Sequence, residues 1–201
     1  MPHPDPFVQP PSKLPFPWGW LLKRVEKSLG KPLTANRILT WSPRLLLGTG
    51  LMEALVIHDD PEVPRRLLRL IRIFVAYQVS CPFCIDMDAH GYQDDGVTDN
   101  EVRALASAGF ETQKTFSDAE RAALRYAACL SGTPLKFPAA VIGEMKRHFS
   151  DRAFTVIAGT AAQVNFWARL IQGLGVSEAG FSADLKLLEL ERFRTRDPGV
   201  P

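Results

Sequence analysis

Apolar positions recur every three to four residues along most of the 201-residue chain, and no stretch alternates with a period of two for long. The pattern predicts helices throughout. Leu21–Leu29 forms a short one that runs into Gly30. Ser42-Pro43 opens a second, reaching about Val56, since serine caps a helix start and proline suits its first turn. The segment from Pro61 to Pro64 starts a third. There Leu67, Leu68, Leu70, Ile71, Phe74 and Val75 form a wide apolar face, and Arg65, Arg69 and Arg72 line another. Pro82 opens the next. Thr98 or Asp99 caps a helix ending at Gly109, and Ser117-Asp118-Ala119-Glu120 is a capping box ahead of Ala122–Leu130. Pro138–Phe149, a long helix from Ser150 or Asp151 to Gly173, and a charged helix over Phe181–Arg194 complete the series. The expected fold is all-α, a helical bundle with short connections.

The ends read differently. Residues 1–20 hold seven prolines and form an extended arm, because proline fixes φ and removes a backbone donor. Its Phe16-Pro17-Trp18-Gly19-Trp20 segment is aromatic enough to pack on its own domain or on a neighbouring subunit. Residues 21–176 are the helical domain, and 177–201 a C-terminal helix and tail. The arm lacks the basic-then-apolar order of a signal peptide. Leu45–Ile57 is too short to span a bilayer, and Phe154–Leu174 is interrupted by Gln163, Asn165 and Arg169. Hydrophobic residues make up 46% and charged ones 23%, a soluble composition, and a net charge of +2 is too small to predict nucleic-acid or anionic-lipid binding. The expected location is cytoplasmic.

Two of the three cysteines are spent on Cys81-Pro82-Phe83-Cys84, where an apolar helix gives way to an acidic stretch. Two thiols at this spacing can close a disulfide, and thiolate formation is favoured at a helix start. Zinc wants four ligands, and no second such pair or paired histidine accompanies this one, so a redox-active disulfide is expected with no metal or other cofactor. Asp88 lies four residues beyond Cys84 on the same helix face, whereas His90 lies roughly 240° round. Asp86 and His90 form an i,i+4 pair on another side, and Tyr77 sits one turn before Cys81. Cys129 reads as a small buried apolar residue, His58 and His148 as helix-end residues, and Met52, Met87 and Met145 as core filler.

The segment from Arg69 through Cys81-Pro-Phe-Cys84 to Asp88 resembles the core of the carboxymuconolactone decarboxylase / alkyl hydroperoxidase D-like (AhpD-like) family. Phe116-Ser-Asp-Ala-Glu-Arg-Ala-Ala-Leu and the stretch from His148-Phe-Ser-Asp to Gln163-Val-Asn165-Phe-Trp-Ala-Arg169-Leu are similar to its later signatures. The likeness covers roughly residues 40–175. It implies an all-helical homo-oligomer (dimer, trimer or hexamer) and an antioxidant peroxidase, in which Cys84 attacks a hydroperoxide and Cys81 resolves. A protein or lipoyl dithiol then reduces the pair.

The resemblance also implies a Glu twelve residues before the first cysteine and a His four after the second, forming a proton relay. Here those positions hold Arg69 and Asp88, so the acid has become a base and the base an acid. The expectation is a buried Arg69–Asp88 salt bridge in place of the relay. Arg69 cannot accept a proton, but its donors suit a thiolate or a substrate carboxylate. Tyr77, His90 or water would then serve the leaving alkoxide. Asn165 and Trp167 in the long helix face a choice between core packing and lining the pocket. A buried Asn must find partners, so Asn165 is a candidate for holding the cysteine helix or a ligand, while Arg65, Arg66 and Arg72 read as solvated or subunit-contact residues. The alternatives are a cofactor-free lyase acting on a small lactone-like carboxylate and a non-catalytic, redox-sensing oligomer.

Overall fold

The structure is a computed structural model that describes residues 5–55, 60–107 and 109–182. Its helices are α1 (Trp18–Leu29), α2 (Thr34–Leu39), α3 (Pro43–Leu55), α4 (Arg65–Gln78), α5 (Pro82–Asp88), α6 (Asp99–Ala106), α7 (Asp118–Ser131), α8 (Ala139–His148) and α9 (Asp151–Gly173). There is no strand among the described residues. The caps read in the sequence start the helices they announced. Thr98 with Glu101, and Ser117 with Glu120, form reciprocal capping boxes, and the Ser150 hydroxyl accepts from the N–H of Ala153.

Some boundaries differ. Helix α7 begins directly after its cap, four residues before Ala122, because the polar first turn belongs to the helix as well as to the box. Helix α6 stops at Ala106, and a separate 3-10 turn follows at Gly109–Glu111. Helix α2 escapes the sequence pattern because six residues are too few to show a period. Of the charged helix expected over Phe181–Arg194, only Phe181 and Ser182 lie within the described residues, and they form no helix; His58 also lies outside them.

Helix α4 occupies the centre, packed by α9, α7, α5 and α6. Nine consecutive or near-consecutive residues, Leu67 to Tyr77 apart from the arginines, are buried, which explains why its apolar face is so wide. Each fully buried Leu, Ile or Phe contributes about 1.5–3 kcal/mol, so this helix anchors the fold. Its arginines reach polar surroundings, with residues 65, 69 and 72 repeating at helical spacing and Arg66 pairing with Glu101 and Glu120.

Helices α1–α3 pack chiefly on one another, and Ala35 and Ile38 of α2 join the main core. The proline-rich arm lies on its own domain: the Phe7 N–H donates to the Leu174 carbonyl at 2.9 Å, and Trp41 Nε1 to the Gln9 carbonyl at 2.9 Å. Gly175, with φ 68°, permits this approach, because a Cβ there would meet the Phe7 ring at 2.9 Å. Among the described residues no helix is long and apolar enough to cross a membrane.

Candidate active site

The turn from α4 into α5 places the cysteines. Ser80 takes φ +50°, and the N–H of Cys81 closes back onto the Ala76 carbonyl at 3.1 Å. Cys81 is then the N-cap of α5, with Pro82 at the first helical position, and its sulfur accepts from the Cys84 N–H at 3.3 Å. The two cysteines form a disulfide with Cα atoms 5.3 Å apart. They are not equivalent. Cys81 is completely buried, whereas Cys84 lines a cavity of about 280 Å³.

That cavity has apolar walls and one polar end. Phe83 and Met87 of α5, Val164, Trp167 and Ile171 of α9, and Leu29 and Leu33 on the α1–α2 side supply the walls. Met87 thus lines the cavity rather than filling the core, while Met145 is fully buried as expected. Glu53, Arg72 and Asp88 make the polar end. Arg72 Nε donates to Asp88 Oδ1 at 2.8 Å and Arg72 Nη2 to Glu53 Oε1 at 3.1 Å. Glu53 Oε2 also accepts from Gln163 Nε2 at 2.7 Å and Trp167 Nε1 at 3.0 Å. Burial works against the Arg72 charge, but the Asp88 and Glu53 carboxylates outweigh it and hold the guanidinium pKa above its ordinary value.

The expected Arg69–Asp88 salt bridge is replaced by Arg72–Asp88. The Arg69 guanidinium donates instead to Asp95 Oδ2 at 2.7 Å and to the main-chain carbonyls of Asp88, at 2.9 Å, and His90, at 3.3 Å. It satisfies carbonyls left open at the end of α5. The Asp88 carboxyl points to the cavity, where the next arginine along α4 meets it. Arg69 and Asn165 are absent from the cavity lining. Asn165 Nδ2 donates to Ser131 Oγ at 3.1 Å and to the Ala161 carbonyl at 2.9 Å, because it faces α7 while Gln163 and Trp167, one turn apart, face the site. Tyr77 is buried in the core, and that burial, with the neighbouring Tyr92, pushes its hydroxyl pKa well up and weakens it as an acid.

The Asp86–His90 pair does not form either. Helix α5 ends at Asp88, so the i,i+4 relation is cut short. Asp86 Oδ2 accepts the N–H groups of Ala179, Gly180 and Phe181 at 3.0, 2.7 and 3.0 Å, and Oδ1 accepts that of Ser182 at 2.7 Å. His90 Nδ1 lies 3.1 Å from the Phe181 carbonyl. The segment after α9 is thereby strapped to the cysteine helix. Cys129 is half-buried rather than sealed in the core. Among the described residues no cluster of three or more His, Cys, Asp or Glu is arranged to hold a metal ion.

Known structures share this arrangement of helices. The debrominase Bmp8, as a cysteine-to-alanine variant in complex with 2,3,4-tribromopyrrole, superposes with a TM-score of 0.76 at 23% identity, over 90% of this chain and 97% of its own. An uncharacterized peroxidase-related protein from Ralstonia eutropha JMP134, described as an alkylhydroperoxidase AhpD core, gives a TM-score of 0.73 at 15% identity, over 88% and 93%. The fold is AhpD-like. In sequence, the uncharacterized protein YnjA of Escherichia coli K12 is 27% identical over 177 residues, 86% of this chain and 94% of YnjA. No family model matches the chain.

Within the AhpD-like frame, sequence reasoning missed Glu53, Arg72 and Gln163, whereas Trp167, which it left between core packing and the pocket, lines the cavity. A signal for the first was present. Glu53 is the lone acidic residue of the largely apolar α3, and a carboxylate set among apolar neighbours needs a partner.

Proposed function

We propose that this protein is a dithiol oxidoreductase of peroxidase type, with Cys84 as the attacking thiol and Cys81 as the resolving one. The observation that carries this reading is the asymmetry of the pair: Cys84 lines the cavity and Cys81 is sealed behind it. Asp88, one turn beyond Cys84 and lining the same cavity, takes the thiol proton. The Cys84 sulfur bonds to the terminal oxygen of a hydroperoxide, the O–O bond breaks, and the leaving alkoxide collects the proton from Asp88 as an alcohol. Cys81 then attacks the oxidised Cys84 sulfur, releasing water and closing the disulfide. An external dithiol returns both to thiols.

The apolar walls favour a hydroperoxide with a hydrocarbon or aromatic body. They also support a second reading, reductive dehalogenation of a small aromatic, given the likeness to Bmp8 and the aromatic faces of Phe83 and Trp167. There two thiols and one aryl bromide give the arene, hydrogen bromide and the disulfide. A lyase acting on a carboxylate is less well served, because both Arg69 and Arg72 are engaged by protein carboxylates.

Thiol titration of the reduced protein tests this. Cumene hydroperoxide should remove two thiols per chain, reversibly with dithiothreitol, and release cumyl alcohol. Cys84→Ala should abolish the reaction, and Cys81→Ala should stop at a trappable sulfenic acid. Bromide release from 2,3,4-tribromopyrrole without alcohol formation from the peroxide would select the second reading. Inertness to both would sink the oxidoreductase proposal.

A further inference from the structure

Among the described residues, the charged side chains lining the Cys84 cavity come from three helices: Glu53 from α3, Arg72 from α4 and Asp88 from α5. From α9 the lining is Val164, Trp167 and Ile171, and the α1–α2 side adds only apolar residues and Asn36. One guanidinium therefore faces two carboxylates, leaving one negative charge uncompensated beside the thiol. Arg72 is divided between them, Nε to Asp88 and Nη2 to Glu53. Asp88 sits on the cysteine helix itself. Glu53 arrives from a separate helix and is held there by donors on α4 and α9, Gln163 and Trp167 included.

We propose that Glu53 is a positioning residue that sets the reactivity of Cys84: by drawing part of Arg72 away from Asp88 it keeps a net negative charge in the cavity and holds the resting cysteine as a thiol. This rests on the reading of Cys84 as the attacking residue. A like charge disfavours the thiolate, so Cys84 becomes nucleophilic only when Asp88 removes its proton as a substrate takes its place. The same charge guards the thiol against stray electrophiles between turnovers. Both carboxylates line the same cavity as the thiol, so removing one of their charges makes the thiolate easier to form.

The test is the pH profile of Cys84 alkylation by iodoacetamide, in fully reduced protein carrying Cys129→Ser, with the modified peptide identified by mass. Glu53→Gln should lower the midpoint by about one pH unit and speed alkylation below it about tenfold. Glu53→Asp keeps the charge and should restore the midpoint toward its native value. Trp167→Phe removes one hydrogen bond from Glu53 without changing charge, so it should alter the plateau rate and leave the midpoint in place. An unchanged or raised midpoint in Glu53→Gln overturns the proposal, as does an equal downward shift in Trp167→Phe. If Glu53→Gln does not fold by circular dichroism, Glu53→Ala makes the same charge change and is held to the same outcome. No hydroperoxide is used, so failure of peroxidase turnover leaves this measurement standing, whereas preferential alkylation of Cys81 would remove the reading beneath it.

Discussion

Arg72 and Asp88 meet at 2.8 Å, joining the central helix α4 to the end of the helix that carries both cysteines. Their side chains are 15% and 8% exposed, so the pair is close to fully desolvated. Such a pair is costly to break from one side, because the remaining charge keeps its burial without its partner. Arg72→Ala should therefore lower unfolding stability by about 3 kcal/mol, with Glu53 adding little because its side chain is 37% exposed. Urea denaturation of the reduced protein checks the magnitude. Arg72→Lys should recover only part, since an ammonium cannot present the two separate N–H directions that reach Asp88 and Glu53.

Asp86 performs the other half of that anchoring. Its buried carboxylate accepts four main-chain N–H groups from residues 179–182, and the Ser182 hydroxyl donates to the Asp86 carbonyl at 2.8 Å. Asp86→Ala leaves those donors without an acceptor, a loss of about 2–3 kcal/mol. Hydrogen exchange at Ala179–Ser182 should accelerate at least tenfold, while exchange in α7 stays unchanged. Equal acceleration in both would mean that Asp86 acts on global stability rather than on the strap.

The helical period and the caps exposed most of the fold, because α4, α7 and α9 each carry their own boundary signals within a few residues. The cysteine asymmetry was not visible, since a C-x-x-C spacing does not say which sulfur faces a cavity. Nor was the choice between Arg69 and Arg72. They lie one turn apart on one stripe, and periodicity cannot tell which one reaches Asp88 when α5 folds back. Glu53 lies 110 residues from Gln163 and 114 from Trp167, so the polar end of the cavity exists only once α3 and α9 are brought together.

Acid should weaken a different ion pair, Arg66–Glu101. Burial of Glu101 alone would raise its pKa, but Arg66, at 2.6 Å, and the Thr98 backbone N–H outweigh it and bring the value to about 2, below the ordinary 4.5. A carboxyl depressed in the folded state stabilises fully above its unfolded value, and that contribution fades as the pH falls from about 4.5 towards 2. Urea midpoints should drop across this window in the native protein and drop less in Glu101→Gln. An identical pH dependence in the two would show that Glu101 is not the group responsible.

The residues at positions 69 and 88 invite a restoration experiment, in which Arg69→Glu and Asp88→His together recreate the Glu and His that the AhpD-like resemblance places there. The geometry predicts that it fails. Arg69→Glu would put a carboxylate where Asp95 Oδ2 now lies 2.7 Å from a guanidinium nitrogen, and beside the carbonyls of Asp88 and His90. Every one of those neighbours is an acceptor, so an attraction becomes a repulsion and the end of α5 loses its donor. Asp88→His would simultaneously take from Arg72 its nearer carboxylate. The double variant should lose about 2–4 kcal/mol of stability and show no gain in hydroperoxide turnover per folded molecule. Arg69→Ala alone should cost less than Arg69→Glu, because it removes the donor without adding a like charge. A double variant that folds normally and turns over faster than the native chain would mean that position 69, rather than 72, governs the proton transfer at Cys84.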